Sequence, residues 1–432
     1  MPFWARGNYA PVEDEIEAFD LEVLGALPAA LDGLFVRNGA NQAAGVADHW
    51  FLGDGMVHGI RLEQGRASWY RNRWIATHAL TQGSDAVSAN RANTSVVHHH
   101  GRLLALYEAG GPTEIDTVSL DTVGPYDFAG TLEGAMTAHP KVDAATGELF
   151  FIGYSPFPPY LRFSTVDPAG GLTKTVAIDV PVPTMMHDFQ LTARHAVFMD
   201  FPVVFDLGLL ENGFPFAWRP EHGARIGVMP RDGGSEDVVW VDVPTCYMFH
   251  TFNAYEDAQG RIVLEGCRLE SLDVQGVIDT SEAPVPWVWT IDVENRTATD
   301  GPLLDFGMDF PMIDRRVQGR EHRFDYGLRL TPGTADYPAH PVGIVKHDRV
   351  SGRTDLWSVG EAVQPDEALF VPAPGSEGED EGWLLSVVFN RATGASEVVV
   401  LDASAVQQGP IARVLLPRRI PFGFHGAWVP AG

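Results

Sequence analysis

What most restricts this chain is a rhythm. Short runs of β-branched and aromatic residues, set apart by Asp-, Asn- and Gly-rich turns, repeat over more than 400 residues without a linker. GELFFIGY (Gly147 to Tyr154), GRIVLEGC (Gly260 to Cys267), GWLLSVVFN (Gly382 to Asn390) and EVVVLDA (Glu397 to Ala403) read as strands. Several are entered through similar polar turns: DAATG ending at Gly147, EDAQG at Gly260, DRVSG at Gly352 and RATG at Gly394. Turns of this chemistry join antiparallel strands. Long amphipathic helical patterns are nearly absent. A lone β-sandwich is too small for 432 residues, whereas a β-propeller of six to eight blades, each taking ~40–60 residues, accounts for them. The expectation is an all-β fold: one propeller domain over residues 1–432, with an irregular N-terminal arm over residues 1–30.

Charge and cysteine usage narrow the partners. Fifty-seven acidic residues against thirty basic ones give a formal charge of −27, and no local basic patch offsets it. Nucleic acid, itself a polyanion, is therefore excluded as a partner. Two cysteines, Cys246 and Cys267, rule out a disulfide scaffold and an all-thiolate zinc site, and they fit a reducing compartment. The N-terminal residues show no basic start followed by an apolar run. The longest apolar candidate, Ala196 to Leu210, is broken by Asp200, Pro202 and Asp206 and falls short of the ~20 residues a membrane span needs. A cytoplasmic location is expected.

Of the fifteen histidines, His98, His99 and His100 are consecutive, so strand alternation prevents all three from facing one ion. His49, His58, His78, His195, His222, His322, His340 and His347 sit mostly in polar or turn-like surroundings and read as structural or surface residues. Four others differ. His139 (GAMTAHPKVD), His187 (PTMMHDFQL), His250 (CYMFHTFNA) and His425 (PFGFHGAWV) each follow Ala, Met or Phe at the edge of a strand-like run. Their spacings of 48, 63 and 175 residues match about one, one and three blades. Equivalent positions on different propeller blades converge on the central axis. Four imidazoles there would leave a divalent ion its full charge and two adjacent open positions, as a non-haem iron needs; zinc prefers a closed tetrahedron. Spacing alone leaves four unrelated core histidines as the alternative.

Together with their contexts these segments resemble the carotenoid cleavage oxygenase family, which includes apocarotenoid and lignostilbene-cleaving oxygenases. The resemblance runs from LDGLFVRNGANQ (Leu31 to Gln42) through HWFLGDGMVHGI and ANTSVVHHHGRLLALYEAG. It continues in order through TAHPKVDAATGELFFIGY, MMHDFQLT, ARIGVMPR and FHTFNAYED to the terminal GFHGAW. It implies a seven-bladed propeller whose loops form a dome over the substrate, with Fe(II) on the axis held by His139, His187, His250 and His425. It also implies carboxylates that accept the opposite ring N–H: Glu108 for His187, Glu367 for His425, and Asp309, where the family usually has Glu, for His250. An Asp, one methylene shorter, must come closer or act through a water. Thr94 matches a threonine near a vacant iron position; its alternative is a plain strand residue.

The chemistry implied is scission of an electron-rich C=C bond by O2 into two carbonyl products. Lignostilbene-cleaving members carry a Tyr and a Lys that hold and deprotonate a phenol. Here Tyr107 stands at the Lys position and Trp74 at the Tyr position, which favours a polyene over a phenol and makes both residues substrate-binding candidates. The partners expected are a small apolar substrate and O2. Phe198 to Trp218, rich in Phe, Val and Leu, is either a peripheral membrane patch or a buried blade connection. A stilbenoid or phenylpropenoid oxygenase is the nearest alternative. A metal-free or zinc-bound propeller scaffold is the alternative from another class, and its metal-free form requires the four histidines not to meet. No GxSxG motif or calcium loop supports a hydrolase.

Overall fold

Antiparallel pairing carries each turn-separated run into a small twisted sheet, and seven such sheets stand around one axis as a seven-bladed propeller. The computed structural model describes residues 2–43, 45, 47, 49–83, 89–212, 214–272, 274, 282–333, 339–360 and 362–431. The first blade contains Gly33–Asn41, Asp54–Glu63 and Arg66–Trp74; the second runs from Ser95–His99 to Thr122–Pro125. The third spans Lys141–Val142 to Leu172–Ile178, and the fourth Phe189–Leu191 to Val239–Val243. A two-stranded hairpin, Val203–Phe205 with Phe216–Trp218, is inserted in the fourth. Tyr247–Glu256 to Thr297–Pro302 form the fifth blade, Met308–Met312 to Arg353–Ser358 the sixth, and Val363–Pro365 to Pro410–Leu415 the seventh.

Burial follows position in the blade. All six residues of Leu149–Tyr154 are buried, whereas the last strands, such as Thr297–Pro302 and Arg353–Ser358, consist only of exposed and half-buried residues. An outermost strand has neighbours on one edge alone and meets water on much of its surface. Adjacent blades interlock through aromatic rings. Phe163 of the third packs edge-on against Phe189 and Phe198 of the fourth, at 6.1 and 5.7 Å between ring centres. Tyr326 stacks on Phe370 between the sixth and seventh, at 5.6 Å.

The ring closes between the two ends of the sequence. Gly426–Pro430 pairs antiparallel with Gly33–Asn41, placing Arg37 opposite Gly426. The region expected to be an irregular arm is partly built into the sheets: Glu17–Leu21 extends the first blade and Val23–Gly25 the seventh. Before it, Phe3, Trp4 and Tyr9 are buried, and Tyr9 packs on Trp50 and Phe422. Backbone pairing at both edges satisfies N–H groups that a free arm would leave to water. Among the described residues no helix is long and apolar enough to cross a membrane.

Candidate metal centre and active site

His139, His187 and His425 lie one or two residues ahead of Lys141–Val142, Phe189–Leu191 and Gly426–Pro430, where those strands begin. His250 lies inside Tyr247–Glu256, at a break in pairing register between Met248 and Thr251. Such a bulge re-aims a side chain, and here His250 meets the other three. One ring nitrogen from each histidine falls within 4.8 Å of the others. The metal-free scaffold reading required the opposite.

Hydrogen bonds at the far side of two of the rings orient His250 and His425. His250 Nδ1 lies 2.8 Å from Asp309 Oδ1, and His425 Nδ1 lies 2.8 Å from Glu367 Oε1. An ionised carboxylate can accept but not donate, so each Nδ1 carries the proton and each Nε2 keeps its lone pair. His187 Nδ1 is 3.4 Å from Glu108 Oε1, a looser approach. Glu108 Oε2 accepts the Tyr154 hydroxyl at 3.1 Å. His139 has no carboxylate partner among the described residues, and its Nε2 faces that of His187 at 2.9 Å. Two such lone pairs repel unless a proton or cation lies between them, so the donor set fits a cation with a taste for imidazole.

The shorter Asp309 makes its contact directly. Met308–Met312 loses register between Asp309 and Met312, and Phe310 takes a left-handed φ of 53°. The bulge brings the carboxylate in, and Phe310 N–H donates to its Oδ1 at 2.8 Å. No water is required for the missing methylene.

Electrostatics hold two of these imidazoles, His139 and His425, in the neutral form a metal needs. Burial pulls His139 well below the usual histidine range, with the three neighbouring imidazoles adding to it. Burial likewise lowers His425 to about 4, against the opposing pull of Glu367. In His250 burial acts the same way, but Asp309, with Asp188 and Glu367, outweighs it and the net shift is upward. Burial would raise Glu367; His425, Arg37 and the Gly426 N–H overcome it and hold the carboxyl at about 2.

Two cavities meet at His250 and His425. One, of about 160 Å³, is walled by Phe51, Phe214, Phe216, Phe249, Phe422 and Phe424, and it contains no Lys or Arg among its lining residues. The other, of about 280 Å³, is lined by Lys141, Asp188, Gln190, Arg315, Arg316 and Gln318 among others. Both far exceed the ~10–15 Å³ that one water needs, so chemistry rather than size separates them.

Thr94, Tyr107, Glu108 and Asp309 line the apolar cavity and Glu367 the polar one. Thr94 donates to Asn93 Oδ1 at 2.9 Å, while its carbonyl accepts the His425 N–H at 3.1 Å. Burial raises the Tyr107 hydroxyl to about 12, so it stays protonated. Trp74 is a correction. It lies on Arg66–Trp74, an outer strand of the first blade, where its backbone N–H donates to Glu15, and it is absent from the cavity wall. The Phe198 to Trp218 segment is in part a buried connection and in part exposed surface. Phe198, Phe201 and Val203 are buried, Phe214 and Phe216 face the cavity, and Leu207 and Leu210 are exposed.

Sequence reasoning missed Arg37 and Tyr154, the partners of Glu367 and Glu108. An arginine inside the apolar run LFVRNG was the available signal for the first. It also missed a buried group of Glu265, His322 and Asp325. Asn253 Oδ1 accepts the Gly319 N–H, so its amide nitrogen donates to His322 Nδ1 at 3.1 Å. His322 Nε2 then carries the proton and donates to Asp325 at 2.7 Å. Arg349 pairs with both carboxylates. With both ring nitrogens committed and Arg349 shared by the two carboxylates, this group ties the fifth and sixth blades together.

The family model described as retinal pigment epithelial membrane protein matches residues 9–430. A carotenoid cleavage oxygenase of Mycobacterium tuberculosis is 36% identical, covering 99% of this chain and 97% of its own length. The crystal structure of Pseudomonas brassicacearum lignostilbene dioxygenase superposes with a TM-score of 0.90 at 29% identity, covering 99% of this chain and 98% of its own. That of a cobalt-substituted Synechocystis apocarotenoid oxygenase superposes at 0.89 with 26% identity, covering 99% and 98%. A family model spanning nearly every residue, and a relative alike from end to end, place this chain in the retinal pigment epithelial membrane protein family, that of the carotenoid cleavage oxygenases, and make it an oxygenase.

Proposed function

We propose that this chain is a non-haem Fe(II) dioxygenase that cleaves a C=C bond of a carotenoid or apocarotenoid with O2, each alkene carbon becoming a carbonyl. The observation that carries this reading is the set of four imidazoles at the end of a cavity walled by phenylalanine and free of cationic side chains. Fe(II) would be held by His139, His187, His250 and His425, and when bound it supplies the activation of O2 that a spin-paired polyene cannot achieve alone.

The chain's own groups do the rest. Asp309 and Glu367 fix the ring planes of two ligands through Nδ1, and Glu108 stands 3.4 Å from Nδ1 of a third. The phenylalanine walls exclude water and press a flat, uncharged chain into one register, so that a single double bond faces the metal. Thr94 narrows the approach beside His425 from the position its backbone bond gives it. Tyr107 contributes a neutral wall. Leu207 and Leu210 offer a peripheral contact with the membrane in which such a substrate dissolves. Residues 1–432 act as one catalytic unit in the cytoplasm.

A stilbenoid or phenylpropenoid substrate is the second reading, favoured by the hydroxyls of Tyr107 and Tyr154 at the cavity wall. Against it, a phenol there finds no lysine or arginine to stabilise its phenolate. The deciding experiment is metal analysis of anaerobically purified protein together with O2 uptake on an apocarotenal and on a hydroxystilbene. One iron per chain with uptake on the polyene alone supports the proposal. Uptake on the stilbene alone overturns the substrate, and failure to take up Fe(II) overturns the metal.

A further inference from the structure

Of the three carboxylates behind the imidazoles, Glu367 alone is held by a buried cation. Asp309 is fixed by its neighbour's backbone N–H and Glu108 by a tyrosine. Glu367 Oε1 takes the His425 Nδ1–H; its Oε2 accepts the Gly426 N–H at 2.8 Å and Arg37 Nη1 at 2.6 Å. The other arm of the guanidinium, Nη2, meets Asp366 Oδ1 at 2.6 Å and donates to the Phe424 carbonyl at 3.2 Å. Asp366 Oδ2 in turn accepts the Gly423 N–H at 3.3 Å. One side chain from the first blade thus grips the acidic pair of the seventh and the backbone on the N-terminal side of His425.

The glycines around His425 are shaped to this grip. A Cβ on Gly426 would fall 2.4 Å from the Val36 carbonyl and 2.8 Å from Arg37 Cδ, and one on Gly423 would fall 2.7 Å from the Asn38 carbonyl. Arg37 is 1% exposed, with Nε unpartnered. A buried ion pair in that state is weak evidence for stability, because desolvation consumes most of the attraction; its better-attested use is to fix one arrangement among several. What it fixes here is the direction of a ligand.

The geometry points to Arg37 as a positioning residue: acting through Glu367, it aims His425 at the metal and couples the centre to the seam where the propeller closes. The inference rests on the metal reading above. It makes the fourth ligand sensitive to a residue that touches no imidazole.

The test uses the full chain with Fe(II) and Co(II) as probes. Arg37→Met should weaken retention of either ion against a competing chelator about tenfold and shift the visible ligand-field bands of the Co(II) form. Arg37→Lys, one point charge without the fork, should lie between the variant and the natural chain. A folded Arg37→Met protein with unchanged retention and unchanged Co(II) bands overturns the proposal. Should that variant not fold, Arg37→Lys decides: about threefold faster metal release is expected, and an unchanged rate overturns it. A separate readout distinguishes failure of the metal reading. In metal-free protein labelled with 15N-histidine, the His425 signal, assigned by its loss in His425→Gln, should report the Nδ1–H tautomer in the natural chain and lose it in Arg37→Met or Arg37→Lys. An unmoved tautomer refutes the role of Arg37 whether or not metal binds.

Discussion

The two cavities that meet at His250 and His425 are built on opposite principles. On the first, polar atoms are rare and mostly turned away: Glu108 and Asp309 face imidazoles, and Thr94 donates to Asn93. On the second, charge is plentiful and paired, as in Lys141 with Asp188 at 2.7 Å and Arg316 with Asp314 at 2.7 Å. A partition of imidazoles thus divides a dry room from a wet one. A polyene offers no hydrogen bonds, so only the dry side can hold it by shape. The wet side can carry charge close to the metal without touching the substrate.

Removing the partition has the largest expected effect. A chain ending at Ile420, or His187→Ala, should retain less than about a tenth of the natural metal content and lose O2 uptake by at least ~10³-fold; full iron occupancy in either would refute the assignment. Wetting the dry room comes next. Phe214→Asp should lower kcat/KM on an apocarotenal by about a hundredfold, the equivalent of burying a poorly paired polar group, while metal content holds. Gln318→Ala, on the wet side, should stay within about threefold. Equal losses from the two would erase the distinction between the cavities.

A smaller effect probes the partition itself. Asp309 already reaches His250 at 2.8 Å through its bulge, so Asp309→Glu adds a methylene with no gap to fill. It should loosen metal about tenfold in a chelator competition; tighter binding would show that the shorter residue is a compromise.

The smallest effect concerns acid. His49, buried and stacked on Phe214 at 4.3 Å, is lowered by burial to about 4 from 6.5. A histidine with a depressed folded pKa gives its full stability above the unfolded value and loses it as pH falls from 6.5 towards 4. At pH 5.5 the loss from His49 is roughly 1.4 kcal/mol. Urea unfolding of metal-free natural chain and His49→Asn at pH 7.5 and 5.5 measures it; parallel slopes would remove His49 as the cause.

The fold class was legible because strand runs and polar turns repeat, and the four histidines because they fall at matching places in that repeat. Glu108 and Glu367 could be placed because they stand inside distinctive apolar motifs. What stayed hidden depends on pairing. Trp74 fails because its place in the third strand of the Gly33–Asn41 meander puts it on the outside of a blade, which no linear motif reveals. Asp309 looked one methylene short because a bulge leaves no mark in composition. Arg37 and its carboxylate partner stand 330 residues apart in sequence, and nothing but ring closure brings them together.

That closure also sets a clock on maturation. His139 is made 286 residues before His425, and at ~5–20 residues per second the ribosome needs roughly 15–60 s to travel between them. Throughout that interval the nascent chain carries three ligands at most and lacks the strand that seals the first blade. The four-imidazole set is therefore completed only once His425 has been made, and under the proposed reading a metal ion meets all its ligands only when the closing strand has sealed the first blade.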